Sequence, residues 1–130
     1  MVENVIETQA LSVYYGKHRG IVDVNLTVER GEVFGFLGPN GAGKTTTLSI
    51  LEGLRPANGG QVTVLGMDIN TQTKSVKQRI GVQLQSTSLL PDLYVFEQVQ
   101  LFAHLYGYQP ETTEIRSLLR WVGLDQKAKM

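Results

Sequence analysis

Eight consecutive residues constrain this chain more than any others: Gly38-Pro39-Asn40-Gly41-Ala42-Gly43-Lys44-Thr45. They follow an apolar pentapeptide, Val33-Phe34-Gly35-Phe36-Leu37, and lead into Thr45 to Leu54, which reads as a helix. A loop of this composition between a strand and a helix curls around an anion, its backbone N–H groups aimed inward at the helix N-terminus. Gly38, Gly41 and Gly43 permit positive φ and close backbone approach. Lys44 puts a point charge between the outer phosphates of a phosphate chain, and the Thr45 hydroxyl is placed to ligate Mg²⁺. Pro39, Asn40 and Ala42 complete the cradle. The spacing arises by chance in about 0.5% of chains this long, so a glycine-rich turn with an incidental lysine is set aside. ATP or GTP is the expected ligand.

The flanks organise around that loop. Val22, Val24, Leu26 and Val28 alternate with Asp23, Asn25, Thr27 and Glu29, which predicts a strand with one wet face. Ile6 to Tyr14 is a weaker strand, and the two are expected to pair antiparallel through a turn at Tyr15-Gly16-Lys17. The pentapeptide before the loop is apolar throughout, as a strand covered on both faces would be. In the helix after the loop, Leu48, Leu51 and Leu54 are expected on one side. Gln61 to Leu65 and Ile80 to Gln85 are further strand candidates, with Thr73 to Arg79 a short helix between them. Tyr94 to Tyr106 and Glu111 to Val122 read as helices, the second with Ile115, Leu118, Leu119 and Val122 at helical spacing and Gly123 where a C-cap belongs.

Composition narrows the function classes. Twelve basic and twelve acidic residues cancel, so no net field draws the chain to nucleic acid or anionic lipid. The longest apolar stretches fall far short of the roughly 20 residues a bilayer span needs, and no charged-then-greasy leader opens the chain. A soluble, unsecreted chain is expected. The absence of cysteine excludes a disulfide scaffold and thiolate metal sites, and suits a reducing cytoplasm. His18 and His104 are read as ordinary polar positions.

Further text surrounds the loop: Leu37 through Thr46, then Leu51-Glu52-Gly53-Leu54-Arg55-Pro56, Gly59 and Val62-Thr63-Val64-Leu65-Gly66, then Arg79-Ile80-Gly81, Gln85 and Leu90-Pro91-Asp92-Leu93. In these stretches the chain resembles the N-terminal part of an ABC transporter ATP-binding subunit, most of all the drug and antibiotic exporters. The resemblance implies an α/β P-loop NTPase fold of the ABC ATPase type, in incomplete form. Its parts would be an antiparallel β portion, the P-loop strand and helix, and the start of a helical subdomain. Residues 1–85 would be the nucleotide-binding core and 86–130 the start of the helical subdomain, with the boundary near Gln85 to Pro91.

By the same resemblance Tyr15 corresponds to the aromatic on which adenine stacks; the plainer reading is that Tyr15 or Tyr14 packs on the core. Gln85 corresponds to the loop glutamine that ligates Mg²⁺ or the attacking water and reports nucleotide state to the membrane subunit. Its plainer reading is a solvated strand-end residue, since Val82 stands where the family has an aromatic and Leu84 where it has proline; Gln83 is the rival if the register differs by two. Thr46 would add a hydroxyl and an amide near the α-phosphate. Lys44 and Gln85 would thus be the catalytic residues, and Thr45 and Gln85 the metal ligands. Tyr94 departs from the family's threonine before Val95-Phe96-Glu97 and cannot complete a capping box, so Asp92 is expected to cap and the helix entry to shift. Leu89 to Tyr106 would meet a transmembrane permease subunit; Phe96, Phe102 and Tyr106 suit a partner surface or helix core equally.

Other family elements are not found in these 130 residues. Asn58-Gly59-Gly60-Gln61 imitates part of the Leu-Ser-Gly-Gly-Gln signature but leads into a strand. Trp121-Val122-Gly123-Leu124-Asp125 imitates the apolar strand ending in Asp, yet it closes an amphipathic helix and Gln126 follows. The Walker B carboxylate, catalytic glutamate and switch histidine have no counterpart either. The sequence thus covers roughly the first half of such a domain, expected to be marginal alone, with apolar surface beside the P-loop strand left without cover. The complete protein would couple ATP hydrolysis to export, with a permease and a second ATP-binding subunit as partners, at the cytoplasmic face of the cell membrane. Two other readings stay open: a small P-loop kinase or GTPase, and a truncated product that at most binds nucleotide or a partner. Against the first, the chain has no guanine-reading Asn/Thr-Lys-x-Asp segment and no arginine-rich lid.

Overall fold

A computed structural model describes residues 1–86 and 89–129. They form two compact units, Met1–Val82 and Gln83–Met130. The boundary expected near Gln85 to Pro91 includes Thr87 and Ser88, which lie outside the described residues.

The first unit is built on a long antiparallel pair, β1 (Asn4–Tyr15) and β2 (His18–Glu29), closed by a turn at Gly16 and Lys17. Gly16 takes φ +60 there, a conformation that costs a residue with a Cβ about 1 kcal/mol or more. β3 (Gly59–Val64) pairs antiparallel with the other edge of β1, and β4 (Met67–Asp68) continues the sheet, in the order β2-β1-β3-β4. Two helices accompany it, α1 (Lys44–Leu51) and α2 (Thr73–Lys77).

The simple alternation expected for β2 does not hold along its whole length. Between the pairs Leu11↔Val24 and Val13↔Ile21 the second strand carries one extra residue, and Asp23 there takes φ +54. One inserted residue flips every side chain before it, so Ile21 faces the core and Val22 faces outward. A matching bulge on β1 puts Ala10 at φ +50. Asn25 ties the two together: its Oδ1 accepts from Ala10 N–H at 2.9 Å and its Nδ2 donates to the Asp23 carbonyl at 3.0 Å.

Leu11, Val13, Ile21, Ile50, Val62 and Val76 lie at the centre of the first unit's core. Truncating a fully buried side chain such as Leu11 or Ile50 to Ala costs about 2–5 kcal/mol. The buried side of α1 carries Thr47, Ile50 and Leu51, while Leu48 and Leu54 are exposed. The face expected from leucine spacing is therefore rotated by less than a quarter turn: Leu51 is common to both, and Thr47 and Ile50, not Leu48 and Leu54, complete the buried side.

Two expected strands are not formed. Residues 33–37 and 80–85 carry no strand hydrogen-bond ladder, and Val33 and Leu37 are 98% and 94% exposed. Apolar sequence supplies only the propensity for a strand; the ladder needs a neighbouring strand, and none among the described residues pairs with either segment.

The second unit pairs α3 (Val95–Leu105) with α4 (Thr112–Trp121), followed by a 3₁₀ turn at Asp125–Lys127. Ile115, Leu119 and Ala128 are its buried centre, with Val95, Phe96 and Val99 against them. Phe96 is thus core, whereas Phe102 and Tyr106 are exposed. The α3 entry is not shifted: Tyr94 is the N-cap residue, its side chain makes no capping hydrogen bond, and the Glu97 carboxylate accepts from Tyr94 N–H at 2.8 Å. Glu97 secures this end without help from residue 92. Gly123, at φ +75, follows α4 as a C-terminal glycine should.

Candidate nucleotide-binding site

The loop of residues 38–45 ends in a left-handed turn. Gly41 and Gly43 have φ +83 and +94, but Gly38 does not adopt positive φ, so conformational freedom is required at two of the three glycines. A Cβ added at Gly38 would make ordinary contact, 3.5 Å from the Ala42 Cβ. Gly43 is doubly constrained, because a Cβ there would run into the Ile21 side chain. The turn is held from behind by Thr47, whose hydroxyl and N–H both donate to the Gly43 carbonyl, at 2.9 and 3.0 Å. Ala42 N–H donates to the Pro39 carbonyl at 3.2 Å. With Gly43 as N-cap and no side chain capping it, α1 presents its first-turn N–H groups to the cleft above.

That cleft has a volume of about 500 Å³. Asn40, Gly41, Gly43, Lys44, Thr45 and Thr46 line it from the loop and helix, and Tyr15 lines it from the end of β1. The structure therefore brings together seven of the ten expected nucleotide-contact residues across more than 20 positions of sequence. Gly38, Pro39 and Ala42 shape the loop without lining the cleft; Lys44 Nζ donates to the Gly38 carbonyl. Neither Tyr14 nor Tyr15 packs into the core, each being 43% exposed. Asn58 fixes the end of β1 through a double hydrogen bond to the Tyr14 backbone, 3.1 Å in each direction.

Three residues around this cleft were not singled out by sequence. Arg19 and Gly20 line it, and a Cβ added at Gly20 would lie 2.6 Å from the Tyr15 ring edge. Arg55 stacks its guanidinium 4.7 Å from the Tyr15 ring centroid and donates from Nη1 to the hydroxyl. The same hydroxyl lies 3.3 Å from Thr46 Oγ1. Hydrogen bonding to Thr46, assisted by the Arg55 charge, holds the Tyr15 phenol below its ordinary range against the opposing effect of desolvation. The Arg19 signal was available as a basic residue at the start of β2; the Arg55–Tyr15 contact, 40 residues apart, had no local signature.

The donor set suits a polyphosphate. It offers inward N–H groups, a flexible ammonium at Lys44, a guanidinium at Arg19 and a hydroxyl at Thr45, with an aromatic ring at the far side. Gln85 belongs to the second unit, where it is exposed at a bend and not at a strand end; Gln83 is likewise exposed. Among the described residues no cluster of three or more His, Cys, Asp or Glu could hold a metal on its own.

The sequence profile of the family described as ABC transporter matches residues 21–130. The chain belongs to the ABC transporter family. A linearmycin resistance ATP-binding protein of Bacillus subtilis is 35% identical over 127 residues, covering 96% of this chain and 41% of its own length. A Nod factor export ATP-binding protein I of Cupriavidus pinatubonensis is 37% identical, with 95% and 39% covered. A probable multidrug ABC transporter ATP-binding protein of Escherichia coli is 41% identical over 105 residues, 81% of this chain and 18% of that protein. A solved structure of an ATP-binding subunit of an ABC transporter superposes with a TM-score of 0.83 at 28% identity, across 96% of this chain and 53% of that one. The fold is that of an ABC ATP-binding subunit, and the chain spans less than half the length of these curated relatives. No helix among the described residues is long and apolar enough to cross a membrane.

Proposed function

We propose that this ABC transporter chain binds Mg·ATP in the cleft between Tyr15 and the 38–45 loop. The observation that carries the reading is the placement of Tyr15, from the end of one strand, on the same cleft as Lys44, Thr45 and Thr46. Lys44 would hold the outer phosphates, Thr45 would ligate Mg²⁺, Thr46 would approach the α-phosphate and Tyr15 would take the base. Bound Mg²⁺ supplies charge neutralisation along the phosphate chain. The chain's own part is to hold that chain in register: Gly41 and Gly43 let the backbone approach, Thr47 fixes the Gly43 carbonyl, and the α1 amides face the negative charge.

Gln85 would act in the complete protein as second metal contact and reporter to a membrane partner, with Leu89 to Tyr106 as the contact surface. In that setting, hydrolysis would be coupled to export through a transmembrane permease and a second ATP-binding subunit, at the cytoplasmic face of the membrane. The names of the relatives, which speak of linearmycin resistance, Nod factor export and multidrug transport, support an exporter.

Calorimetric titration of the chain with Mg·ATP, beside its Lys44→Ala variant, tests this. Saturable binding that is lost with Lys44 is expected; equal affinity in both would refute the loop as the site. Titration with Mg·GTP separates a GTPase reading, which a clear preference for guanine would favour.

A further inference from the structure

Tyr15 is held on three sides. Arg55 lies 4.7 Å from the ring centroid on one face and also reaches the hydroxyl, Thr46 Oγ1 stands 3.3 Å from that hydroxyl, and Gly20 sits under the ring edge where a Cβ would come within 2.6 Å. Tyr15 and Thr46 line the phosphate cleft, but Arg55 does not; it lines a separate hollow with Pro56, Asn70 and Thr73. The guanidinium therefore braces, from outside the cleft, a tyrosine that itself lines the cleft and stays 43% exposed. Among the described residues no carboxylate lies within ion-pair distance of Arg55, so its charge is committed to this aromatic contact. Arg is suited to that task, because its planar group stacks and hydrogen-bonds at once.

We propose that Arg55 is a positioning residue for Tyr15, fixing the ring so that it takes the purine of the bound nucleotide from the cleft side. The inference rests on reading the cleft as a nucleotide site and deepens it. A tyrosine already fixed loses little freedom when a base stacks on it, so the gain appears in affinity for the base and not for the phosphates. Arg55 touches neither ligand part directly and should leave phosphate binding unchanged.

The test compares Mg·ATP with inorganic triphosphate plus Mg²⁺, titrated into the chain and its variants. Arg55→Ala is expected to weaken Mg·ATP about fivefold while triphosphate stays within about twofold. Arg55→Lys keeps a cation at the ring and should restore part of the loss. Tyr15→Ala should weaken Mg·ATP at least as much as Arg55→Ala, and the double variant should be no worse than Tyr15→Ala alone. Without ligand, the Tyr15 ring cross-peak in an aromatic ¹³C spectrum should shift in Arg55→Ala while that of Tyr14 stays in place. Equal weakening of both ligands, no weakening of either, or an unmoved Tyr15 resonance overturns the role of Arg55 and leaves the nucleotide site standing. Wild-type chain that binds Mg·ATP no better than Lys44→Ala overturns the site itself, and this inference with it.

Discussion

The Ile21 side chain rests directly against the Cα of Gly43, in the space that a Cβ at that glycine would need. The contact joins β2 to the turn that opens α1, so the sheet sets the height of the loop. It also explains why the bulge at Asp23 matters for the site: without the extra residue Ile21 would face outward and the turn would keep only the Thr47 bonds behind it.

Gly43→Ala is therefore expected to fail twice, through its φ of +94 and through the clash with Ile21. A loss of about 2–4 kcal/mol in urea unfolding is expected, since left-handed strain and overpacking each cost about 1–3 kcal/mol. Gly38→Ala, with ordinary contacts and no positive φ, should stay within about 0.5 kcal/mol of wild type. Similar losses at the two positions would contradict this account of the loop.

Lys44→Ala should leave the melting temperature nearly unchanged, because among the described residues the ammonium's one hydrogen bond is to the Gly38 carbonyl. Affinity for Mg·ATP should fall at least about 30-fold, the usual cost of removing one partner of a desolvated charge pair. Calorimetry and thermal melting together separate loss of binding from loss of fold.

Arg19→Ala probes a cation of the cleft that sits outside the loop. Mg·ATP affinity should drop by about threefold to tenfold at low salt, and the difference should shrink as ionic strength rises, because an exposed charge is screened. An effect that grows with salt would assign Arg19 a packing role instead.

The second unit carries a pH-sensitive contact. The Tyr108 hydroxyl donates to Glu114 Oε1 at 2.7 Å, and Glu114 Oε2 accepts from Glu111 N–H at 2.8 Å. Both bonds hold the Glu114 carboxyl below its ordinary value of 4.5. Its contribution is complete above that value and fades as pH falls through the lowered one. The Tyr108 phenol is pushed above its ordinary value of 10.0 by the bond to Glu114, by desolvation and by the Glu114 and Glu111 charges. Its contribution is complete below pH 10 and is lost as pH rises through the raised value. Tyr108→Phe should remove the alkaline limb of a plot of helical signal against pH and reduce the acid one, leaving the part due to the Glu111 N–H bond; a wild-type profile that is retained would place the transitions elsewhere.

The local features of this protein could be read along the chain. The phosphate loop is one run of eight residues, and α4 forms where the spacing of Ile115, Leu118, Leu119 and Val122 predicts it, although only Ile115 and Leu119 of these are buried while Leu118 and Val122 stay exposed. The hairpin of β1 and β2 follows from adjacent apolar runs and a glycine able to take positive φ. In each case the cause lies within one element or one turn between neighbouring elements, so propensity, capping and turn chemistry suffice.

Tertiary structure decided the rest. A strand at residues 33–37 requires hydrogen-bond partners from elsewhere, and apolar composition cannot supply them. The facing of Ile21 depends on a bulge tied by Asn25 across two strands. The presence of Tyr15, Arg19 and the loop on one cleft, and of Arg55 against Tyr15, depends on chain folding that closes gaps of up to 40 residues. The sequence alone determined the chemistry of the anion cradle, because that chemistry is local; the sheet decided which distant side chains reach it.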